Sequence, residues 1–168
     1  MSTNRTSKLV YRGLMVGIAL ALHIIESLLP IPAPIPGAKL GLANIAALYV
    51  IIRMGTKESV CVTVLRTILG ALYGAGLFAP TFLLSFFGGL VSTVVMGLGF
   101  SVFQKQFSII GLSVLGAVTH NVAQLAVASF MFEQIGFFYY LPYLLFYALP
   151  TGFFVGIVTQ QLAKKIHF

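Results

Sequence analysis

Eight polar or ionisable side chains lie inside or beside long apolar stretches of this sequence. They are His23, Glu26, Lys39, Asn44, Arg66, Tyr73, His120 and Gln124. An ionisable group in hydrocarbon is costly unless it faces a protein interior or a wet cavity. We therefore treat each of these residues as a candidate for binding a ligand.

Arg66 is the first candidate because it lies near the middle of its apolar run and cannot easily reach the membrane surface. Thr63, Gly70 and Tyr73 share its face by helical spacing. A guanidinium binds carboxylate or phosphate through two parallel hydrogen bonds. Because cationic and imidazole side chains outnumber glutamate in the set, we expect a small anionic or amphiphilic ligand.

The other residues of the set have complementary roles in this hypothesis. Lys39 and Asn44 would close over the ligand, His23 and Glu26 would position it, and His120 with Gln124 would add hydrogen bonds. Simpler explanations exist for each. Arg66 could simply pair with Glu26 or with helix-end carbonyls and have no ligand, and His120 could be a core histidine. His23 with Glu26 could form an interfacial pair, and Lys39 could lie among lipid headgroups.

The composition requires lipid as the solvent for most of the chain. Of 168 residues, 59% are hydrophobic and only 8% are charged, which exceeds what a soluble domain of this size buries. Apolar runs bounded by charge, proline or glycine predict an all-α bundle of six transmembrane helices in a single domain covering residues 1–168. The helices are expected at about 9–29, 41–53, 59–79, 81–103, 109–132 and 137–162.

The basic residues predict the orientation of these helices. With six spans, eight of the basic residues share one side, and Lys39 lies opposite. The eight are Arg5, Lys8, Arg12, Arg53, Lys57, Lys105, Lys164 and Lys165. The positive-inside rule places that side, with both termini, in the cytoplasm, and we expect a multi-pass protein of a prokaryotic plasma membrane. The net charge of +7 thus reflects topology and not a nucleic-acid partner.

Two further segments have functional interpretations. The loop between the first two helices, residues 30–41, alternates proline with other residues, so it is stiff and extended and could act as an external lid or only as a connector. In the first helix, Gly13, Gly17 and Ala21 recur at four-residue spacing. Such small residues let helices approach closely, either within the bundle or against a partner membrane subunit.

Several kinds of catalytic site are missing from the sequence. There is no Walker A motif and no aspartate, and the acidic residues are Glu26, Glu58 and Glu133. Metal-dependent diphosphate chemistry usually needs several carboxylates to hold Mg²⁺. We therefore expect no enzymatic activity, no bound metal and no cofactor.

Residues 36–45, with the sequence Pro-Gly-Ala-Lys-Leu-Gly-Leu-Ala-Asn-Ile, resemble the family called Gx transporters, long labelled heptaprenyl diphosphate synthase component I. Residues 66–70, Arg-Thr-Ile-Leu-Gly, support the resemblance, which extends over almost the whole chain. The family resembles the substrate-binding S-components of energy-coupling-factor transporters. That resemblance implies six helices, a ligand pocket near the outer face, and docking of a transmembrane coupling subunit and its ATPases through Gly13, Gly17 and Ala21.

Two functions remain open from the sequence. One is a substrate-binding subunit for uptake of a small compound, with an isoprenoid- or quinone-related molecule as one option. The other is a non-catalytic membrane subunit that recruits a soluble prenyl diphosphate synthase or an electron-transfer partner, as the family label suggests.

Overall fold

The described part of the chain is entirely helical. The computed structural model describes residues 5–28, 41–74, 76–103 and 107–165, and contains no β-strand among them. In these residues, six α-helices and one 3-10 helix follow one another. They are α1 (Arg5–Leu28), α2 (Asn44–Met54), α3 (Thr56–Tyr73), α4 (Pro80–Val102), α5 (Ile109–Met131), the 3-10 helix (Ile135–Tyr140) and α6 (Leu141–Lys165). The proline loop up to residue 40, Lys39 and Lys105 lie outside the described residues.

Glycine and serine define several of the helix ends. α3 ends at Tyr73, before the expected residue 79, because the N–H groups of Gly74 and Gly76 turn back onto the carbonyls of Gly70 and Ala71. The Gly76 backbone has φ of +94°, which favours glycine. At the start of α5, the Ser108 hydroxyl accepts a hydrogen bond from the Gly111 N–H at 3.0 Å, an N-cap arrangement.

The short helix α2 forms the centre of the bundle. It packs against all five of the other α-helices, and every residue from Asn44 to Ile51 is buried. A helix enclosed by protein need not match the thickness of a bilayer. This position explains why its apolar run is shorter than those of its neighbours.

Within the described residues, four helical segments are long and apolar enough to cross a membrane. They are Thr6–Leu28, Pro80–Val102, Ile109–Met131 and Ile135–Lys165. α2 is too short for this criterion, and α3 has 18 residues that include Lys57, Glu58 and Arg66. The structure therefore supports a helical membrane protein with four candidate spans among the described residues. The expected number of six matches its α-helices, but not its candidate spans.

Contacts between helix ends show that basic residues gather at one end of the bundle. Arg12 of α1 forms an ion pair with Glu58 of α3 at 2.5 Å. Arg53, at the end of α2, donates to the carbonyl of Ala163 near the end of α6 at 2.6 Å. The start of α1, the end of α2, the start of α3 and the end of α6 therefore lie together. We refer to this as the basic end.

Candidate functional site

A small polar pocket lies between five of the helices, in the half of the bundle away from the basic end. It is lined by His23, Glu26, Gly41, Asn44, Arg66, Ser85 and His120. The cavity volume is about 10 Å³, which is room for a single water molecule. Each helix from α1 to α5 contributes at least one lining side chain, with Gly41 just before α2.

The first wall of the pocket joins α1 to the start of α2. His23 and Glu26 lie one turn apart on α1, and both are buried. The Gly41 N–H donates a hydrogen bond to the Glu26 carboxylate. Gly41 has φ of +85°, and its carbonyl accepts from the Asn44 N–H at 2.8 Å. The Glu26 carboxylate therefore fixes the backbone from which α2 begins.

The second wall centres on Arg66 of α3, whose side chain is only 4% exposed. Its Nη2 atom packs over Gly89 of α4, where an added Cβ would come within 3.1 Å. The hydroxyls of Thr63 and Thr93 are hydrogen-bonded at 3.0 Å beside it. The Glu26 carboxylate attracts the guanidinium electrostatically. Arg66 thus lies inside the protein, in a space that the absence of a side chain at residue 89 leaves open.

The third wall is formed by α4 and α5. Ser85 and His120 line the pocket, and Gln124 lies one turn beyond His120. A Cβ at Gly88 would come within 2.9 Å of Gln124 and 3.1 Å of His120. Gly70 of α3 makes similar room for the His23 ring, at 2.9 Å. Three glycines, at residues 70, 88 and 89, therefore provide the space in which the polar side chains of the pocket lie.

Several buried polar atoms around the pocket have no hydrogen-bond partner among the described residues. They are Asn44 Oδ1, Arg66 Nε, Ser85 Oγ and Gln124 Nε2. The large majority of buried polar side-chain atoms in native proteins are hydrogen-bonded, and an unmet group costs about 1–3 kcal/mol. These four atoms lie around the pocket and can each form a hydrogen bond with a water molecule or with a bound ligand.

The structure brings together most of the residues that the sequence suggested. Five of them line the pocket: His23, Glu26, Asn44, Arg66 and His120. Gln124 is buried next to it. Tyr73 does not reach the pocket, because its side chain is 76% exposed in the last turn of α3. Lys39 lies outside the described residues.

Sequence reasoning missed Ser85, Gly41, Gly88 and Gly89. A serine within an apolar helix usually bonds to its own helix backbone, so its type alone gives no signal. Ser85 differs from Ser92, whose hydroxyl donates to the Gly89 carbonyl at 3.0 Å. The glycines become informative only once the side chain that each one faces is known.

The small residues of α1 lie on an open surface. Gly13, Gly17 and Ala21 are all exposed, and no atom lies within 4 Å of a Cβ built at either glycine. Exposed apolar side chains flank them, among them Leu14, Ile18 and Ile25. Within the described residues these positions do not serve to pack α1 against the rest of the bundle.

The described residues contain no group of three or more His, Cys, Asp or Glu side chains that could hold a metal ion. Of the residues that the structure describes, those lining the pocket include one carboxylate, one guanidinium and two imidazoles. This set can hold an organic ligand through ionic and hydrogen bonds.

Among the comparisons with known proteins, only the comparison with protein families gives a match. No curated protein and no solved structure matches the chain. A family model described as heptaprenyl diphosphate synthase component I matches residues 15–162. This match covers the pocket and nearly all of the helical bundle, and the chain therefore belongs to the heptaprenyl diphosphate synthase component I family.

Proposed function

We propose that this protein is the substrate-binding membrane subunit of an energy-coupling-factor-like transporter, and that it captures a small molecule bearing an acidic group. The observation that carries this proposal is the Arg66 guanidinium, buried in a pocket with unpartnered polar atoms. The acidic group contacts Arg66 through paired charge-assisted hydrogen bonds. An isoprenoid- or quinone-related compound with such a group is one option.

A purely structural role for the pocket explains its polar atoms less well. A buried ion pair contributes stability only when further hydrogen bonds satisfy its remaining donors and acceptors. Here Arg66 Nε and Ser85 Oγ lack partners, although hydroxyl pairs such as Thr63 with Thr93 are satisfied nearby. A bound polar molecule would remove this deficit.

Ligand entry requires the pocket to open. A cavity of about 10 Å³ is far smaller than the roughly 300–1,000 Å³ typical of small-molecule sites. We take the turn from Gly41 to Asn44 as the moving part, because it lies at the edge of the pocket and its contact with α1 includes the hydrogen bond from the Gly41 N–H to Glu26. Opening and closing at this point would let the protein enclose its ligand.

Orientation and partners complete the proposal. Basic residues at the opposite end of the bundle favour a cytoplasmic location for that end, and the pocket would then lie in the outer half. The open face of α1 at Gly13, Gly17 and Ala21 would contact a transmembrane coupling subunit, whose ATPases supply the energy. The protein itself catalyses no reaction in this proposal and uses no cofactor.

Arg66→Gln tests the pocket, with Arg12→Gln as the matched control. Both changes remove one guanidinium, but Arg12 lies in a partly exposed ion pair with Glu58. Native mass spectrometry of gently extracted protein should show one retained small molecule in the wild type and in Arg12→Gln. We expect at least a tenfold lower occupancy in Arg66→Gln, since bonds to a charged group contribute about 1.5–3 kcal/mol each. Equal occupancy in a folded Arg66→Gln protein would remove the pocket from the proposal.

The family name favours a second candidate function. That name refers to a component of heptaprenyl diphosphate synthase, so a non-catalytic subunit that recruits a soluble prenyl synthase or an electron-transfer partner is the alternative. This role predicts co-purification with a soluble enzyme through the basic end and no retained small molecule. The same mass spectra therefore distinguish the two functions.

A further inference from the structure

We propose that the ligand of this pocket carries, outside the acidic group that binds Arg66, a second group that accepts a hydrogen bond from the side-chain amide of Gln124. A carbonyl or a hydroxyl oxygen is such a group. Ser85 lies between the two binding positions. This inference rests on the proposed function, because it specifies the class of molecule that the same pocket would hold.

The helix α4 separates two sides of the pocket. A Cβ added at Gly89 would lie 3.1 Å from Arg66 Nη2 of α3, whereas one added at Gly88 would lie 2.9 Å from Gln124 Cγ of α5. Adjacent residues of a helix point about 100° apart. Among the described residues, no Cα atom of α3 lies within 8 Å of one in α5. Arg66 and Gln124 therefore approach the pocket from different flanks of α4.

Ser85 lies between these two flanks. It precedes Gly88 by three residues and Gly89 by four, so helical spacing directs its side chain between the directions of the two glycines. Ser85 is buried and lines the pocket, and its hydroxyl has no hydrogen-bond partner among the described residues. The hydroxyl of Ser92, farther along the same helix, instead donates to the Gly89 carbonyl. The Ser85 hydroxyl is therefore available to a ligand.

The chemistry of Gln124 determines what its partner must be. The side chain is buried, and in the described part of the chain its Nε2 atom has no hydrogen-bond partner. An amide N–H donates and cannot accept, so the group that faces it must be an acceptor. An acidic group held by paired hydrogen bonds to Arg66 lies on the α3 flank. A second acceptor on the ligand would satisfy the donor on the α5 flank.

Gln124→Met tests this assignment, because methionine is similar in length and has no hydrogen-bond donor. The molecule retained by the wild type is identified by tandem mass spectrometry after release, and we expect an acceptor group outside its acidic group. Its occupancy should fall about tenfold in Gln124→Met. In the Arg66→Gln background, which lacks the ligand, Gln124→Met should not lower the thermal unfolding midpoint, since it removes a buried donor without a protein partner.

Ser85→Ala and Ser92→Ala form a matched pair on the same helix. Each change removes one buried hydroxyl, but of the two serines only Ser85 lines the pocket. We expect ligand occupancy to fall by about threefold or more in Ser85→Ala, because one hydrogen bond is lost. Occupancy in Ser92→Ala should equal that of the wild type. Equal occupancy in the two variants would contradict the position given to Ser85.

A ligand analogue keeps the test valid if Gln124→Met does not fold. This analogue keeps the acidic group of the identified molecule and has hydrogen atoms in place of its second acceptor. It should displace the retained molecule from the wild type about tenfold more weakly than the parent compound does. In a folded Gln124→Met protein, the parent compound and the analogue should bind with equal affinity.

Other results would overturn the inference. A retained molecule without an acceptor outside its acidic group would contradict it, as would undiminished occupancy in Gln124→Met or equal displacement by the analogue. In each of these cases, loss of the molecule in Arg66→Gln would still support the proposed function. A wild-type protein that retains no small molecule would overturn both.

Discussion

At the scale of single residues, the pocket depends as much on side chains that are absent as on those that are present. Gly89 provides the space for the Arg66 guanidinium, and Gly88 provides it for His120 and Gln124. A protein interior is close-packed, so an added methyl group displaces whatever lies against it. These glycines therefore provide the space in which the polar side chains of the pocket lie.

Gly89→Ala should weaken ligand binding more than it weakens folding. The new Cβ would lie 3.1 Å from Arg66 Nη2 and 3.2 Å from the Thr63 methyl group, so the flexible end of Arg66 must shift. We expect occupancy by the retained molecule to fall about tenfold, the equivalent of one weakened charge-assisted hydrogen bond. The free energy of unfolding should change by less than about 1 kcal/mol, because alanine also favours the helix.

Gly17→Ala is the control for this change. No atom lies within 4 Å of its added Cβ, so ligand occupancy should equal that of the wild type. If Gly89→Ala and Gly17→Ala retained the ligand equally, Gly89 would have no positioning role.

The sequence predicted the ionisable residues of the pocket better than its uncharged ones. Arg66, Glu26 and His120 stand out because charged or imidazole groups are rare in apolar runs. Tyr73 was chosen by helical spacing, which gives the direction of a side chain but not the depth of the pocket. It lies seven residues from Arg66, about 10 Å along the helix axis. Ser85 gave no comparable signal. It stands out only because its hydroxyl has no hydrogen-bond partner among the described residues, and the sequence does not show this.

At the scale of helices, the central position of α2 determines how the pocket is built. α2 begins at the pocket with Asn44 and ends at Met54 near the basic end, so its two ends lie in different environments. A single residue, Gly55, separates α2 from α3. Its φ of 93° and ψ of 171° allow the chain to reverse immediately.

Gly55→Ala should destabilise the protein through its backbone alone. No atom lies within 4 Å of the added Cβ, so steric contact with other residues is excluded as the cause. A non-glycine residue in this region of φ and ψ costs about 1–3 kcal/mol. We expect a lower thermal unfolding midpoint in detergent than for the wild type, and no such loss for Gly17→Ala. An unchanged midpoint for Gly55→Ala would contradict the stated conformation of this junction.

The order of the helices followed from hydropathy. Only four helical segments of the described residues are long and apolar enough to be candidate membrane spans, and the helix ends depended on local contacts. Six apolar runs correspond in order to the six α-helices of the structure. Composition could not reveal that the second run is enclosed by the other five helices, because a buried helix and a lipid-facing helix are both apolar. The end of α3 at Tyr73 depends on turns made by Gly74 and Gly76, which a pattern of apolar residues does not encode.

At the scale of the whole molecule, the asymmetry of charge predicts how the bundle lies in a membrane. Exposed lysines at positions 8, 57, 164 and 165 belong to the basic end, whereas Glu133 and Gln134 follow α5 at the other end. The positive-inside rule orients such a bundle with its basic end in the cytoplasm. In this orientation the pocket would lie in the outer half of the membrane, as the proposed capture of an external compound requires.

Single cysteines introduced in a Cys61→Ala background test this orientation. We expect a membrane-impermeant maleimide to label Gln134→Cys in intact cells, and to label Lys8→Cys and Lys164→Cys only after permeabilisation. All three positions are exposed, so differences in labelling report the side of the membrane. Labelling of Lys8→Cys and Lys164→Cys from opposite sides would show an odd number of spans and would contradict the proposed topology.

The most direct test of the central claim is an experimental structure of the wild-type protein in lipid nanodiscs, from a preparation that retains one small molecule per chain. We predict density for that molecule between Arg66 and Glu26, with an acidic group within about 3 Å of the guanidinium. Asn44 Oδ1 and Ser85 Oγ should then have hydrogen-bond partners. A structure in which the molecule binds elsewhere, while Arg66 contacts only protein atoms and water, would contradict the assignment of this pocket as the ligand site.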